Sequence, residues 1–348
     1  MHAAEFRRVA EQSAAVLLSY WLAPARSYMW IVTASGIRCV HLPPSKEIEG
    51  MAREYQTAVQ DAFPDPLASA GTAGDRLYHL LVEPALSSIP PGASVLIVPD
   101  GGLHGLNFET LPVPGVRRHF LIEDAQIQIA PSLALLAVNG ASPEPTRSLL
   151  LIGDPTPRNP EFPALRYASA EMTAITQHFS SGRVTSYHGD SASPGAYRSA
   201  RPDRFAFLHF TAHAAANFES PLDSAVILAG PENAFKLYAR DVADQPLRAE
   251  LVTVSACRSA GEHAYSGEGL VGFAWAFLHA GARRVIAGLW DVDDESTAAL
   301  MNQLYAGITT GHSPARSLRD AKLELIHRGG RFVKPYYWGP FELFTVSP

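Results

Sequence analysis

The sequence predicts an α/β fold, a mostly parallel sheet with helices on both faces. Three observations carry that prediction. Short, largely apolar runs occur at 94–99 (SVLIVP), 148–153 (SLLLIG), 205–211 (FAFLHFT) and 250–256 (ELVTVSA), with a further strand at 283–290 (RRVIAGLW). They have strand length and little polar alternation, the mark of strands buried on both faces. Segments with helical spacing separate them, and that alternation builds βαβ units. Hydrophobic residues make up 47% of the 348 and charged residues 18%, which supports a large core and argues against bulk disorder.

Length suggests two domains at roughly 100–200 residues each. The stretch 139–147 (NGASPEPTR) is poor in apolar residues and rich in turn formers, and it divides 1–145 from 146–348. In the first part a leading helix is expected over about 3–20. Residues 27–33 and 37–42 read as strands joined by a turn at Ala34–Gly36. A polar helix is expected at 45–62, and a second helix at 75–87 that Pro84 ends or kinks. The buried strand 94–99 leads into a Gly-rich loop, 100–105 (DGGLHG).

The second part opens with the strand 148–153 and a proline-rich loop. An amphipathic helix at 167–180, a strand at 183–188 and the strand 205–211 follow. Residues 222–229 and 235–238 form a hairpin-like excursion before the strand 250–256. Then come an apolar helix at 268–280, the strand 283–290, helices at 294–308 and 313–327, and a last strand at 340–346. The two halves share a weak similarity: each has a buried strand followed by a loop containing Gly and His.

Composition narrows the function classes. The net charge of −6, with no Lys/Arg cluster, argues against direct nucleic-acid binding. No apolar run reaches the roughly 18 residues a membrane span needs, so no membrane partner is expected and a cytoplasmic location is simplest. The two cysteines, Cys39 and Cys257, are too few for a disulfide framework or a four-cysteine zinc site. Cys39 lies mid-strand and reads as packing.

In parallel sheets, sites form beyond the carboxyl ends of the strands. His213 and Cys257 occupy that position on two separate strands, 44 residues apart. A thiolate with a neighbouring imidazole is what cysteine peptide chemistry requires: the imidazole takes the thiol proton and later protonates the leaving amine. The N–H groups of Ala214 and Cys257 are the candidate oxyanion donors. Each residue also has a plain structural reading, Cys257 as a small hydrophobe and His213 as a loop residue bonded to a carbonyl.

The segments FLHFTAHA (207–214), SPLDSAVILAG (220–230), SAC (255–257), GEGLVGFAWAFLHAGARRVIAGLWDVDDESTAALM (267–301) and PYYWGPFELF (335–344) resemble the CHAT domain, a caspase- and separase-like family. In the first half YMWIVT, LYHLLVEP, VLIVPDGGLHGLNFETL and IAPS also resemble it. The resemblance implies a caspase-like fold with a degenerate lobe at 1–145 ahead of a catalytic lobe at 146–348. It places His213 as general base and Cys257 as nucleophile. It makes Asp291 and Asp294 candidates for a pocket that takes a basic residue before the cut; as helix N-terminal acids they also have a structural reading. Ala214 stands where many relatives have Gly, and Arg258-Ser259 where Glu-Thr is commoner.

The same resemblance implies a protein or peptide substrate, and an activating partner or sensor module acting on 257–267 and 214–221, in a bacterial defence or signalling role. The chain begins almost at the domain, so the sensor is expected to have been removed or to be a separate partner. The alternative is a catalytically silent scaffold.

Residues 267–272 (GEGLVG) satisfy the dinucleotide fingerprint with Asp291 about 20 residues on. Ten residues, 257–266, separate them from the strand, whereas that fingerprint needs its glycines directly after one. Gly267, Glu268 and Gly269 are therefore expected to shape the loop behind Cys257, and Gly272 to allow close helix–sheet packing. His209 and His213 would lie roughly 13 Å apart along a strand, too far for one zinc. His104 has no matching cysteine and reads as structural. No motif demands a metal or organic cofactor. Calcium-responsive relatives outside the family would make the acids at 291–295 the place for that ion.

Overall fold

A computed structural model describes residues 3–132, 136, 147–157, 159–217, 219–231, 234–255, 268–290 and 293–346. The chain forms two compact units, Met1–Asn139 with Ile326–Pro348, and Gly140–Leu325.

The first unit holds β1 (Ala15–Trp21), β2 (Ser27–Val32), β3 (Ile37–Leu42), β4 (Ser94–Val98), β7 (Gln126–Ile129) and β16 (Phe341–Thr345), in the order β3-β2-β1-β4-β7-β16. The β1–β2–β3 meander is antiparallel; β1–β4, β4–β7 and β7–β16 are parallel. A short ribbon pairs β5 (Pro112–Val113) with β6 (His119–Phe120). The helix Ala73–Leu81 starts from a reciprocal box: Thr72 N–H donates to Asp75 Oδ2 at 2.9 Å, and Asp75 N–H to Thr72 Oγ1 at 3.4 Å. Pro84 then opens a 3₁₀ turn, Glu83–Ser88.

The expected leading helix over 3–20 is corrected. The helix spans Ala3–Gln12, and the rest of that stretch is β1. Ser13 N–H and Oγ both bond Val9 O, at 2.9 and 2.7 Å, and Ala14 turns to φ 47°. The run AVLLSYW then buries Val16, Leu17, Leu18 and Tyr20 between two strand neighbours. Packing on a pleated surface outweighs helical continuity for such residues. Cys39 is likewise corrected: it is exposed on the edge strand β3, as are Ile37 and His41 on the same strand face.

The second unit centres on a fully parallel sheet ordered β15-β14-β10-β8-β9, comprising β8 (Leu149–Gly153), β9 (Val184–Tyr187), β10 (Phe207–Thr211), β14 (Leu251–Ser255) and β15 (Arg284–Gly288). Every residue of β8, β10 and β14 is buried, as their continuous apolar runs require. Gly153 permits the closest strand approach: a Cβ there would lie 2.6 Å from Thr211 O. Helices Ala168–Thr176 and Asp294–Thr309 pack as one pair, Ala239–Ala243 and Glu268–Ala280 as another. The excursion after β10 is a small antiparallel sheet, β11 (His213–Ala215), β12 (Ala225–Ile227) and β13 (Lys236–Tyr238).

Candidate active site

Parallel register sets the site. Thr211 at the end of β10 pairs with Ser255 at the end of β14. His213 follows two residues beyond Thr211, and Cys257 is two residues beyond Ser255 in sequence. Cys257 lies outside the described residues, as do Gly267 and Asp291.

His213 is 6% exposed and begins β11 opposite Ile227, so its backbone is fixed as well as its ring. Its Nε2 lies 2.6 Å from Pro163 O. A carbonyl only accepts, so Nε2 carries the proton and Nδ1 becomes the basic nitrogen. The Phe162 ring packs against the imidazole at 5.9 Å between centroids. The carbonyl partner comes from the proline-rich loop after β8. The sequence names that loop but gives no signal for which of its carbonyls turns inward.

Ala214 faces Val226 across β11–β12. Ala239 N–H donates to Ser224 O, and Leu228 N–H to Phe235 O, so residues 224, 226 and 228 turn their backbone groups toward β13. Residues 225 and 227 therefore bond β11 through Ala215 and His213. The Ala214 N–H points the other way, off the ladder.

Asp294 opens the helix Asp294–Thr309 and lines a crevice with Glu171, Thr211, Ser255 and Thr297. Its neighbour Asp293 is the helix cap, accepting from Ser296 N–H at 3.0 Å. Ser255 Oγ and Thr297 Oγ1, both buried, have no hydrogen-bond partner among the described residues. Glu171 is a site residue that sequence reasoning missed. Its Oε1 accepts from Thr211 Oγ1 at 3.1 Å and lies 2.8 Å from His209 Nε2, inside the core. His209 also meets Tyr305 OH at 3.2 Å. This partner set gives His209 a structural role, and among the described residues no group of three potential ligands is placed to hold a metal.

Glu268 and Gly269 begin the helix Glu268–Ala280 rather than lying in a loop. Gly272 is needed against Pro221, whose Cβ would be 2.4 Å from an added Cβ; the close neighbour is this proline of the SPL segment, not the sheet. Beside His213 a cavity of about 460 Å³ opens between the proline-rich loop and the β12–β13 hairpin, and Leu165 borders both it and the Asp294 crevice.

The mostly parallel sheet, with a small β-excursion between β10 and β14, is similar to the caspase-like fold of separase. Residues 71–346 match the CHAT domain, and the chain belongs to that family. A crystal structure of the Saccharomyces cerevisiae separase–securin complex aligns over 97% of this chain and 31% of its own, with TM-score 0.59 and 10% identity. The Arg-specific cysteine proteinase gingipain R aligns over 86% of this chain and 75% of its own, with TM-score 0.49 and 12% identity. Tetratricopeptide repeat protein 28 of Mus musculus is 30% identical over 107 residues, 31% of this chain. The chain spans 4% of that curated relative's length. Among the described residues no helix is long and apolar enough to cross a membrane.

Proposed function

We propose that this chain is a CHAT-type cysteine endopeptidase in which His213 and Cys257 form the dyad of the catalytic lobe and residues 1–145 are the non-catalytic lobe, which the C-terminal segment Ile326–Pro348, expected in the catalytic lobe, joins in the structure. The observation that carries the reading is the His213 ring, whose Nε2 meets Pro163 O, just beyond a strand end in register with the strand that leads to Cys257.

His213 Nδ1 takes the thiol proton and the thiolate attacks the substrate carbonyl carbon. The oxyanion is stabilised by the N–H groups of Ala214 and Cys257. The imidazolium then gives its proton to the leaving amine as the C–N bond breaks, and water hydrolyses the thioester with His213 again as base. Asp294, with Asp291, supplies the acid for a basic residue before the cut. The crevice beside Asp294 measures about 10 Å³, room for one water, so a basic side chain enters only if the site opens. The separase neighbour is seen in complex with securin, and the mouse relative is a tetratricopeptide repeat protein. Both support a protein partner, the family resemblance implies a bacterial defence or signalling role, and the composition suggests a cytoplasmic location.

The test is a peptide library offered to the chain and to Cys257→Ala, each with and without source lysate. Cleavage lost in Cys257→Ala, with Arg or Lys before the cut, is expected. An apolar residue there removes the acid-pocket reading. No cleavage under any condition, with Cys257 unreactive to alkylation at neutral pH, favours the silent scaffold.

A further inference from the structure

The cavity beside His213 adds the half of the substrate that leaves, and this inference rests on the peptidase reading above. Phe162, Pro163 and Leu165 from the loop after β8, Ile227 and Leu228 around the end of β12, and Phe235 before β13 form its apolar walls, and Thr156, Asn159 and His213 add polar ones. Asp154 is the one carboxylate among its described lining residues. At about 460 Å³ the space admits a large side chain with its backbone.

Position along the sheet tells which half of a peptide meets it. The strand ends run in the order β15, β14, β10, β8. Asp294 follows β15, Cys257 follows β14 in sequence, His213 follows β10, and the cavity's proline-rich loop follows β8. A general acid stands on the leaving side of the scissile bond, because it protonates the leaving amine. The next feature along the edge beyond His213 therefore faces the residue after the cut. We propose that this cavity is a specificity pocket for a large apolar side chain at that residue. An acidic side chain would lose its hydration there and meet Asp154.

The experiment uses the full chain, with lysate where activation needs it. One peptide series keeps the residues up to the cut constant and varies the next among Phe, Leu, Gly, Lys and Asp. In parallel, a reagent that alkylates Cys257 carries only the half before the cut. Phe and Leu are expected to exceed Gly and Asp at least tenfold in kcat/KM. Thr156→Trp fills the cavity from an exposed position on its wall and is expected to cut the Phe-over-Gly ratio at least threefold. Phe235→Ala, which enlarges the cavity, is expected to move the preference toward Trp. Labelling and cleavage with ratios near one across the series, or a ratio untouched by both variants, overturns the pocket and leaves the peptidase reading standing. Absence of both labelling and cleavage overturns the peptidase reading, and the pocket with it.

Discussion

The loop after β4 in the first unit and the segment after β10 in the second start from a similar position and end differently. Each follows a buried strand and carries a histidine: His104 in DGGLHG, His213 in TAHA. In the first unit the loop is tied down by carboxylates. Asp100 Oδ2 accepts from Leu22 N–H at 2.7 Å, Glu49 Oε1 accepts from Gly102 N–H at 3.3 Å, and residues 101–105 close into a 3₁₀ turn. In the second unit the carboxylate stays below the strand end, where Glu171 binds His209 and Thr211. The histidine above it is oriented by a carbonyl and walls a cavity. An acid spent on backbone N–H groups closes a loop. An acid kept beneath the strands leaves the end of the sheet to the histidine and the cavity.

The sharpest way to break the comparison is to exchange histidines for alanine. His213→Ala is expected to lower kcat/KM by about 10⁴ or more, as losses of a peptidase base do, while His104→Ala stays within about twofold. Steady-state kinetics on one cleaved peptide decides it, and equal losses would end the distinction between the two loops.

Next come the carboxylates. Glu171→Ala leaves His209 buried without its acceptor and is expected to cost about 3 kcal/mol, whereas Asp100→Ala frees one partly buried N–H and costs about 1–2 kcal/mol. Urea denaturation compares them. Cleavage of a basic-residue peptide should fall in Glu171→Ala alone.

The smallest effect sharpens the picture of the first unit. Burial alone would raise the Asp75 carboxyl, but Arg118 and the Thr72 donors outweigh it and hold the group below its ordinary value of 3.8. Arg118 Nη1 lies 2.8 Å from Asp75 Oδ1, an ion pair by proximity. A lowered native pKa gives stability that is complete above the ordinary value and is lost as pH falls through the native one. Asp75→Asn is therefore expected to cost about 2 kcal/mol at pH 7, with the deficit shrinking below about pH 4. A deficit constant from pH 7 to pH 3 would remove the charge from the explanation.

The core strands of the second unit were legible because burial on both faces forces a continuous apolar run, as in LLLIG, FLHFT and LVTVS. The resemblance to the CHAT domain singled out His213 and Cys257; the structure places His213 just beyond β10, and Cys257 lies outside the described residues. The β1 strand was not legible. AVLLSYW follows a true helix without a glycine or proline, and only its two sheet neighbours make it a strand. The four residues QIQI of β7 are too short for periodicity to declare them.

Sequence by itself thus determined the α/β class, the inner parallel strands, the histidine at the end of β10 and the acids at the start of the helix Asp294–Thr309, because local pattern and residue chemistry carry these. Tertiary structure alone decided that β16 pairs β7, that Pro163 O orients His213, that Asp293 caps while Asp294 faces the crevice, and that Ala214 N–H leaves the ladder. Those outcomes depend on register and on chain closure between residues far apart in sequence, and no window of neighbouring residues contains them.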